Sequence, residues 1–147
     1  VALPLIDPEQ ELKKEIKEEN QLPDVFSKEQ QLEILSNMIP AKWAKNDNFV
    51  AVNTKVLDKY WKKDKEFYIG KGGKGGIKKR YKDFEKFLAT GESIEAPVIT
   101  VSEDNRISFV NGRHRFSVLR DRGMEQIMVS IPESSIRFAY RIKLLAN

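Results

Sequence analysis

Arg106-Ile107-Ser108-Phe109-Val110-Asn111-Gly112-Arg113-His114-Arg115-Phe116-Ser117-Val118-Leu119 is the stretch whose reading decides the fold. Residues 106–110 alternate polar and apolar, the pattern of a half-buried strand, and Phe116, Val118 and Leu119 open an apolar helical face that stops near Gly123. Asn111 and Gly112 therefore stand at a strand-to-helix junction. The first amides of such a helix have no intrahelical acceptor and carry partial positive charge, so a phosphate or carboxylate is favoured there. A glycine at that point also lets an anion approach the backbone closely. Arg113, His114 and Arg115 put three potential cations in the first turn, where each opposes the helix dipole by roughly 0.3–1 kcal/mol unless an anion compensates. The plainer reading makes them surface residues paired with nearby acids, Asn111-Gly112 a tight turn and His114 a structural histidine.

Working outward, Pro97 to Val101 and Arg106 to Val110 are expected to pair as a hairpin around Glu103-Asp104-Asn105, and Gln126 to Ile131 supplies another strand closed by Pro132. Phe49 to Val52 reads as a short buried strand, followed by a helix capped by Asn53 or Thr54 and carrying Val56, Leu57, Tyr60 and Trp61. Ile77, Tyr81, Phe84 and Leu88 recur at helical spacing, which predicts a helix from about Gly76 to Ala89 with Gly91 as its stop. A last helix, capped by Ser134 or Ser135, is expected to bear Ile136, Ala139, Ile142 and Leu145. At the other end, Asp7-Pro8-Glu9 starts a helix to about Asn20 with a thin stripe of Leu12 and Ile16. Ser27-Lys28-Glu29-Gln30 fits a capping box for a second helix with Leu32, Leu35, Met38 and Ile39 inward, ending at Pro40. The sum is an α+β fold, mixed α/β in its order, with a small mixed sheet of about four strands. Its compact domain spans residues 46–147, C-terminal helix included, and a helical N-terminal arm spans 1–45.

Composition narrows the function classes. The chain has 147 residues, 40% hydrophobic and 33% charged, enough for one core. It has no cysteine and one histidine, which excludes a disulfide scaffold, a thiolate nucleophile and a cysteine zinc site; no haem or flavin is expected either. No apolar run approaches the ~18 residues of a membrane span, so no membrane partner is expected and a cytoplasmic setting is the default. The formal net charge is a mild +4. Its distribution is uneven: residues 55–86 hold eleven Lys and one Arg against five acids, a local excess of seven, while the N-terminal arm is acid-rich and a candidate contact for a protein partner.

The order strand, Asn111-Gly112, Arg113-His114-Arg115, helix, Gly123, strand resembles the partition-protein (ParB-like) N-terminal domain and sulfiredoxin superfamily over roughly Glu95 to Ile131. In that superfamily a hairpin precedes a Gly-x-x-Arg loop that holds nucleotide phosphates at a helix N-terminus, as Gly-Glu-Arg-Arg in partition proteins and Gly-Cys-His-Arg in sulfiredoxins. Gly112, Arg113, His114 and Arg115 fall on those positions. Arg113 replaces the sulfiredoxin cysteine, so sulfinic-acid reduction of that type is excluded. The partition protein's upstream arginine-bearing box has no clear counterpart here, nor does its helix-turn-helix domain, so a full partition protein is not expected. Members of the superfamily are similar in fold yet serve as nucleotide switches, small-molecule kinases, nucleases and phage or plasmid accessory proteins, and fold does not choose among them.

The site expected from residues and resemblance together comprises Asn111, Gly112, Arg113, His114 and Arg115, with Lys71, Lys74 and Arg80 closing over bound phosphates. The Gly70 to Gly76 segment lacks the P-loop arrangement and reads equally as a flexible surface loop or as a clamp. Trp61, Phe67 and Tyr68 are candidates for stacking a base, against the plainer reading as core. Enzyme action is left open. Were there phosphoryl transfer, nucleotide hydrolysis or nuclease activity, Arg113 and Arg115 would stabilise developing charge. His114 would serve as acid or base, with Glu95 the best carboxylate among Glu92, Glu95, Asp104 and Asp121. No metal-ligand spacing is present, and magnesium would arrive with nucleotide phosphates. The alternative is a non-catalytic DNA- or protein-binding accessory module of a phage or plasmid protein.

Overall fold

The computed structural model describes residues 22–146. The helix expected over Asp7–Asn20, with its proposed partner contact, lies outside them. Among the described residues the elements run α1 (Lys28–Ser36), β1 (Met38–Ile39), β2 (Asn48–Asn53), α2 (Thr54–Trp61), α3 (Lys78–Leu88), β3 (Ile94–Glu95), β4 (Val98–Val101), β5 (Ile107–Asn111), α4 (Arg113–Asp121), β6 (Gln126–Ile131) and α5 (Glu133–Arg141). The four-stranded sheet has the order β2-β6-β4-β5, and β1 pairs with β3 in a separate two-stranded ladder. Antiparallel β2–β6 and β4–β5 pairs flank a parallel β4–β6 contact, so this is an α+β fold with a small mixed sheet.

The parallel contact between β4 and β6 forces the intervening chain to cross over, and β5 and α4 make that crossing. The β4–β5 register explains where α4 begins. Phe109 lies across from Ile99, yet Asn111 lies across from Val98, so Val110 is an extra residue that bends the strand just before the helix. Gly112 then takes φ +89 and Phe116 N–H closes the first helical turn on its carbonyl at 2.9 Å. Behind this junction Trp61 is fully buried, its ring edge-on to Tyr68, Phe109 and Phe116 at 4.7, 4.6 and 5.5 Å. Trp61 and Phe116, with Val118 and Leu119 of α4, weld α2 and α4 to the sheet.

Several local expectations are met by chemistry and others are overruled by pairing. Asn53 caps α2 by accepting the Val56 N–H at 3.1 Å, and Ser27 and Gln30 form the reciprocal capping box of α1. Yet α1 ends at Ser36 because Met38 and Ile39 leave the helix to pair with Ile94 and Glu95. Its inward face is also one residue earlier than the apolar pattern suggests: Gln31 is buried and Leu32 is 67% exposed. The Gln31 amide accounts for this, donating to the Phe26 carbonyl and accepting the Glu125 N–H at 3.0 Å. Phe26 and Met38 thereby join the same core as the sheet, so residues 22–44 pack as part of the domain.

At the C-terminal end, α5 begins directly after Pro132 rather than at a serine cap. Ser135 instead faces inward and its hydroxyl accepts the Val101 N–H at 3.0 Å. The helix stops at Arg141 when Lys143 turns with φ 57, and Leu145 bridges Val52 on the outer edge of β2 instead of extending the helix. No helix of the described residues is long and apolar enough to cross a membrane.

Candidate functional site at the start of α4

A cleft of about 850 Å³ opens at the junction of β5 and α4. One wall is the Asn111 to Arg115 turn, and β3 contributes Glu95 with Ser93 before it. The opposite wall is a single stripe of α3, Arg80, Asp83, Phe84 and Phe87, at the spacing that puts residues on one helix face. Phe67 and Phe109 complete an aromatic lining. The volume falls in the range of small-molecule sites, and the composition matches one: apolar walls with a few convergent polar groups.

Arg115 is the unusual group. Its side chain is 24% exposed, and its Nε and Nη2 are buried without a hydrogen-bond partner. Glu95 lies 3.9 Å from Nη2, near enough for attraction but beyond hydrogen-bond reach. Burial holds the Arg115 guanidinium below its ordinary value, partly countered by the Glu95 charge. A buried donor left without an acceptor costs about 1–3 kcal/mol, more when charged. The backbone keeps this geometry in place. A Cβ at Gly112 would lie 2.8 Å from both Arg115 Nη2 and the Cα of Pro97, so only glycine admits both the positive φ and the guanidinium tucked beneath the turn. Gly112 also offers no side chain to cap the helix, whose leading amides remain free of side-chain partners.

The neighbouring cations are placed differently. Arg113 donates from Nη1 to the Phe67 carbonyl at 3.0 Å and lies over the Phe67 ring, fastening that aromatic to the cleft rim. His114 is buried, and its Nε2 accepts the Ile77 N–H at 2.9 Å. This bond requires the neutral ring with the proton on Nδ1. Burial first, then the charges of Arg113 and Arg80, push its pKa down from 6.5 to about 4. The imidazole expected to do acid–base work thus has Nε2 engaged with the backbone that leads into α3.

The glycine-rich segment is pinned rather than free. Gly73 N–H bonds the Gly70 carbonyl and Gly70 N–H the Lys74 carbonyl, while Gly72 N–H donates to Asp121 at 2.9 Å and Tyr81 packs against Gly73. It runs along α4 from Asp121 back to His114. Lys71 and Lys74 are exposed on it and do not line the cleft, whereas Arg80 does. Among the other candidates, Trp61 and Tyr68 belong to the core, and Phe67, 50% exposed, is the one of the three at the cleft. Asp104 is held in the hairpin turn by Ser102 and Arg106, and neither it nor Glu92 lines the cleft.

Asp121 is committed elsewhere. It accepts from Tyr81 at 2.8 Å and pairs with Arg120 at 3.0 Å, and Arg120 in turn reaches Asp58 and the Ile69 carbonyl. Arg120 is 12% exposed, so these are buried ties, and Asp121, a candidate carboxylate by sequence, does not line the cleft. Burial of the phenol and its bond to Asp58 raise Tyr68 to about 12 despite Arg120 nearby, and Tyr81 is raised further by burial and by Asp121.

The cleft residues not singled out from sequence are Asp83, Ser93, Phe84, Phe87 and Phe109 as wall components. The stripe Arg80-Asp83-Phe84-Phe87 was available as a helical face carrying both charge and aromatics, but Phe84 by itself reads as core. Among the described residues no group of three or more His, Cys, Asp or Glu side chains could hold a metal ion. No protein-family model, curated protein or solved structure matches the chain.

Proposed function

We propose that the cleft binds a nucleotide, with its phosphates at the Gly112–Arg115 turn and its base against the phenylalanine wall. The observation that carries this reading is the buried, unpartnered guanidinium of Arg115 at an uncapped helix start, a donor set that a phosphate oxygen would satisfy. The aromatic lining supplies the second half of the argument: an inorganic anion has no use for four phenylalanines, whereas a base stacks on them. The likeness of Gly112-Arg113-His114-Arg115 to the phosphate-holding Gly-x-x-Arg loop of ParB-like and sulfiredoxin-like domains points the same way. Magnesium would enter on the phosphates, with Glu95 as the cleft carboxylate nearest the turn.

Binding is the primary activity in this reading. The occupied Nε2 of His114 favours a module without imidazole catalysis, so any hydrolysis or phosphoryl transfer would rest on Glu95 as base and on Arg115 and Arg113 for developing charge. Calorimetric titration against a panel of nucleoside mono-, di- and triphosphates, with and without magnesium, tests the proposal. Saturable binding that weakens by about tenfold or more in Arg115→Met is expected, since a hydrogen bond to a charged group contributes about 1.5–3 kcal/mol. Failure of every nucleotide and oligonucleotide to bind would overturn it.

A further inference from the structure

The cleft that suits an anion also holds a carboxylate that phosphate binding does not explain. Asp83 lines it from α3, on the same helix face as Arg80, Phe84 and Phe87. Its one partner among the described residues is Lys79, one turn back on α3, which donates to Oδ2 at 2.9 Å. Lys79 is 85% and Asp83 53% exposed, so the pair contributes little to the fold, and Oδ1 is left to accept from a ligand. A carboxylate turned towards a bound phosphate would repel it. An acid here is of use only where the ligand presents donors. Glu95, the other acid of the cleft, is drawn to Arg115 at 3.9 Å.

The order of residues along α3 indicates which donors these are. The Ile77 N–H bonds His114 Nε2 at 2.9 Å, so α3 starts beside the Gly112–Arg115 turn, and the Arg80 charge bears on His114. Arg80 therefore marks the phosphate end of the stripe. Asp83 follows about 4.5 Å further along the helix axis and Phe87 about 10.5 Å, with the Phe84 and Phe87 rings stacked on one another. Guanidinium, carboxylate and phenyl rings succeed one another as phosphate, sugar and base do in a nucleotide. The sugar of a ribonucleotide carries two neighbouring hydroxyl donors, and an acidic side chain accepts from the ribose in the same way at dinucleotide sites. Each base presents a different set of donors on its edge, whereas every ribonucleotide presents the same hydroxyls at the same remove from its phosphate. A carboxylate at a fixed step from Arg80 suits the sugar.

We infer that Asp83 accepts the ribose hydroxyls of the bound nucleotide and makes the cleft selective for ribonucleotides over 2′-deoxyribonucleotides. This rests on the nucleotide reading of the cleft and adds a sugar contact to those with phosphate and base.

Calorimetry with the four ribonucleoside triphosphates and their 2′-deoxy counterparts, magnesium present, tests it. A ribonucleotide that binds should do so about tenfold more tightly than its own deoxy form, the lower end of what a hydrogen bond to a charged group supports, because the acceptor is half in solvent. In Asp83→Ala its affinity should fall to within about twofold of the deoxy form. Asp83→Asn, which keeps one acceptor oxygen, should retain part of the preference. Lys79→Gln should retain it in full, because the carboxylate and not its ion pair makes the contact. Arg80→Gln should weaken both sugars alike. Equal affinity of ribo and deoxy forms for the unaltered protein overturns the sugar contact and leaves the nucleotide reading standing. So does a preference that survives Asp83→Ala. Equal weakening of both forms in Asp83→Ala overturns it by assigning the carboxylate to magnesium, and a change in base preference alone overturns it by assigning Asp83 to the base. Failure of all eight nucleotides to bind the unaltered protein removes this inference and the nucleotide reading together.

Discussion

The two ends of α4 carry the same residue type to opposite ends. At the C-terminal end Arg120 sits among Trp61, Tyr68 and Phe116; its Nε and Nη1 donate to Asp121, Asp58 and the Ile69 carbonyl, and its Nη2, without a hydrogen bond of its own, lies 3.0 Å from the Asp121 carboxylate. At the N-terminal end, one and a half turns away, Arg115 keeps buried nitrogens with no acceptor. Both guanidiniums are largely buried, and both cost desolvation. Arg120 recovers most of that cost within the fold and Arg115 little of it. What separates a structural arginine from a binding one is therefore how much acceptor the fold supplies, two carboxylates and a carbonyl within 3.0 Å for Arg120 against one carboxylate at 3.9 Å for Arg115, not its burial or its sequence context. Arg120 orders the segment that presents Phe67, and Arg115 receives what that segment helps enclose.

The contrast breaks most visibly at Arg120. Arg120→Ala leaves Asp58 and Asp121 with neutral donors and without the buried cation between them, and a loss of about 3–5 kcal/mol in unfolding free energy is expected from urea denaturation, the usual cost of removing one member of a buried ion network. A loss below about 1 kcal/mol would place that network with ordinary surface pairs. Gly112→Ala comes next, because it combines a positive φ with a Cβ 2.8 Å from Pro97 and Arg115. It should cost roughly 1–3 kcal/mol of stability and reduce nucleotide affinity, since Arg115 must move. Stability and affinity both at the unaltered level would show that the turn does not need glycine.

A smaller effect is expected from pH. The folded-state pKa of His114, about 4, lies below the ordinary 6.5, so between those values the unfolded chain binds the extra proton. Its contribution to stability is complete above pH 6.5 and is lost as pH falls towards 4. The denaturation midpoint should therefore decline across pH 6.5 to 5, above the range of most carboxylates. In His114→Gln, which keeps an acceptor for Ile77 but does not titrate there, that decline should largely vanish; an unchanged decline would assign it elsewhere. The smallest effect is set by the exposed pair of Lys79 and Asp83: Lys79→Gln should change stability by no more than about 0.5 kcal/mol.

The sequence made the junction legible because its signals agree: an alternating strand, a glycine and an apolar helical face each specify the same turn. The four-stranded mixed sheet followed from equally local patterns at Phe49–Val52, Pro97–Val101 and Gln126–Ile131. What local pattern could not supply was partner choice. Met38 and Ile39 fit a helix face by periodicity and pair as a strand because Ile94 and Glu95 lie beside them. Leu32 fits the same face and is exposed because Gln31 satisfies two backbone groups from outside its own helix. Arg115 and Arg120 are indistinguishable as letters five residues apart, and Lys71 and Lys74 resemble a phosphate clamp until Asp121 is seen holding their loop along the other end of α4.

The central claim is that Arg115 is retained for a ligand and not for the fold. Urea denaturation of Arg115→Met beside the unaltered protein, each with and without a saturating nucleoside triphosphate and magnesium, tests it in one measurement. Without ligand the two midpoints should agree, or the variant should be slightly the more stable, because a buried charge that only Glu95 at 3.9 Å offsets has been removed. With ligand at about 100 times its dissociation constant the unaltered protein should gain about 2.7 kcal/mol and the variant much less. A ligand-free loss in Arg115→Met comparable to that of Arg120→Ala, or an equal gain from nucleotide in both proteins, would contradict the account.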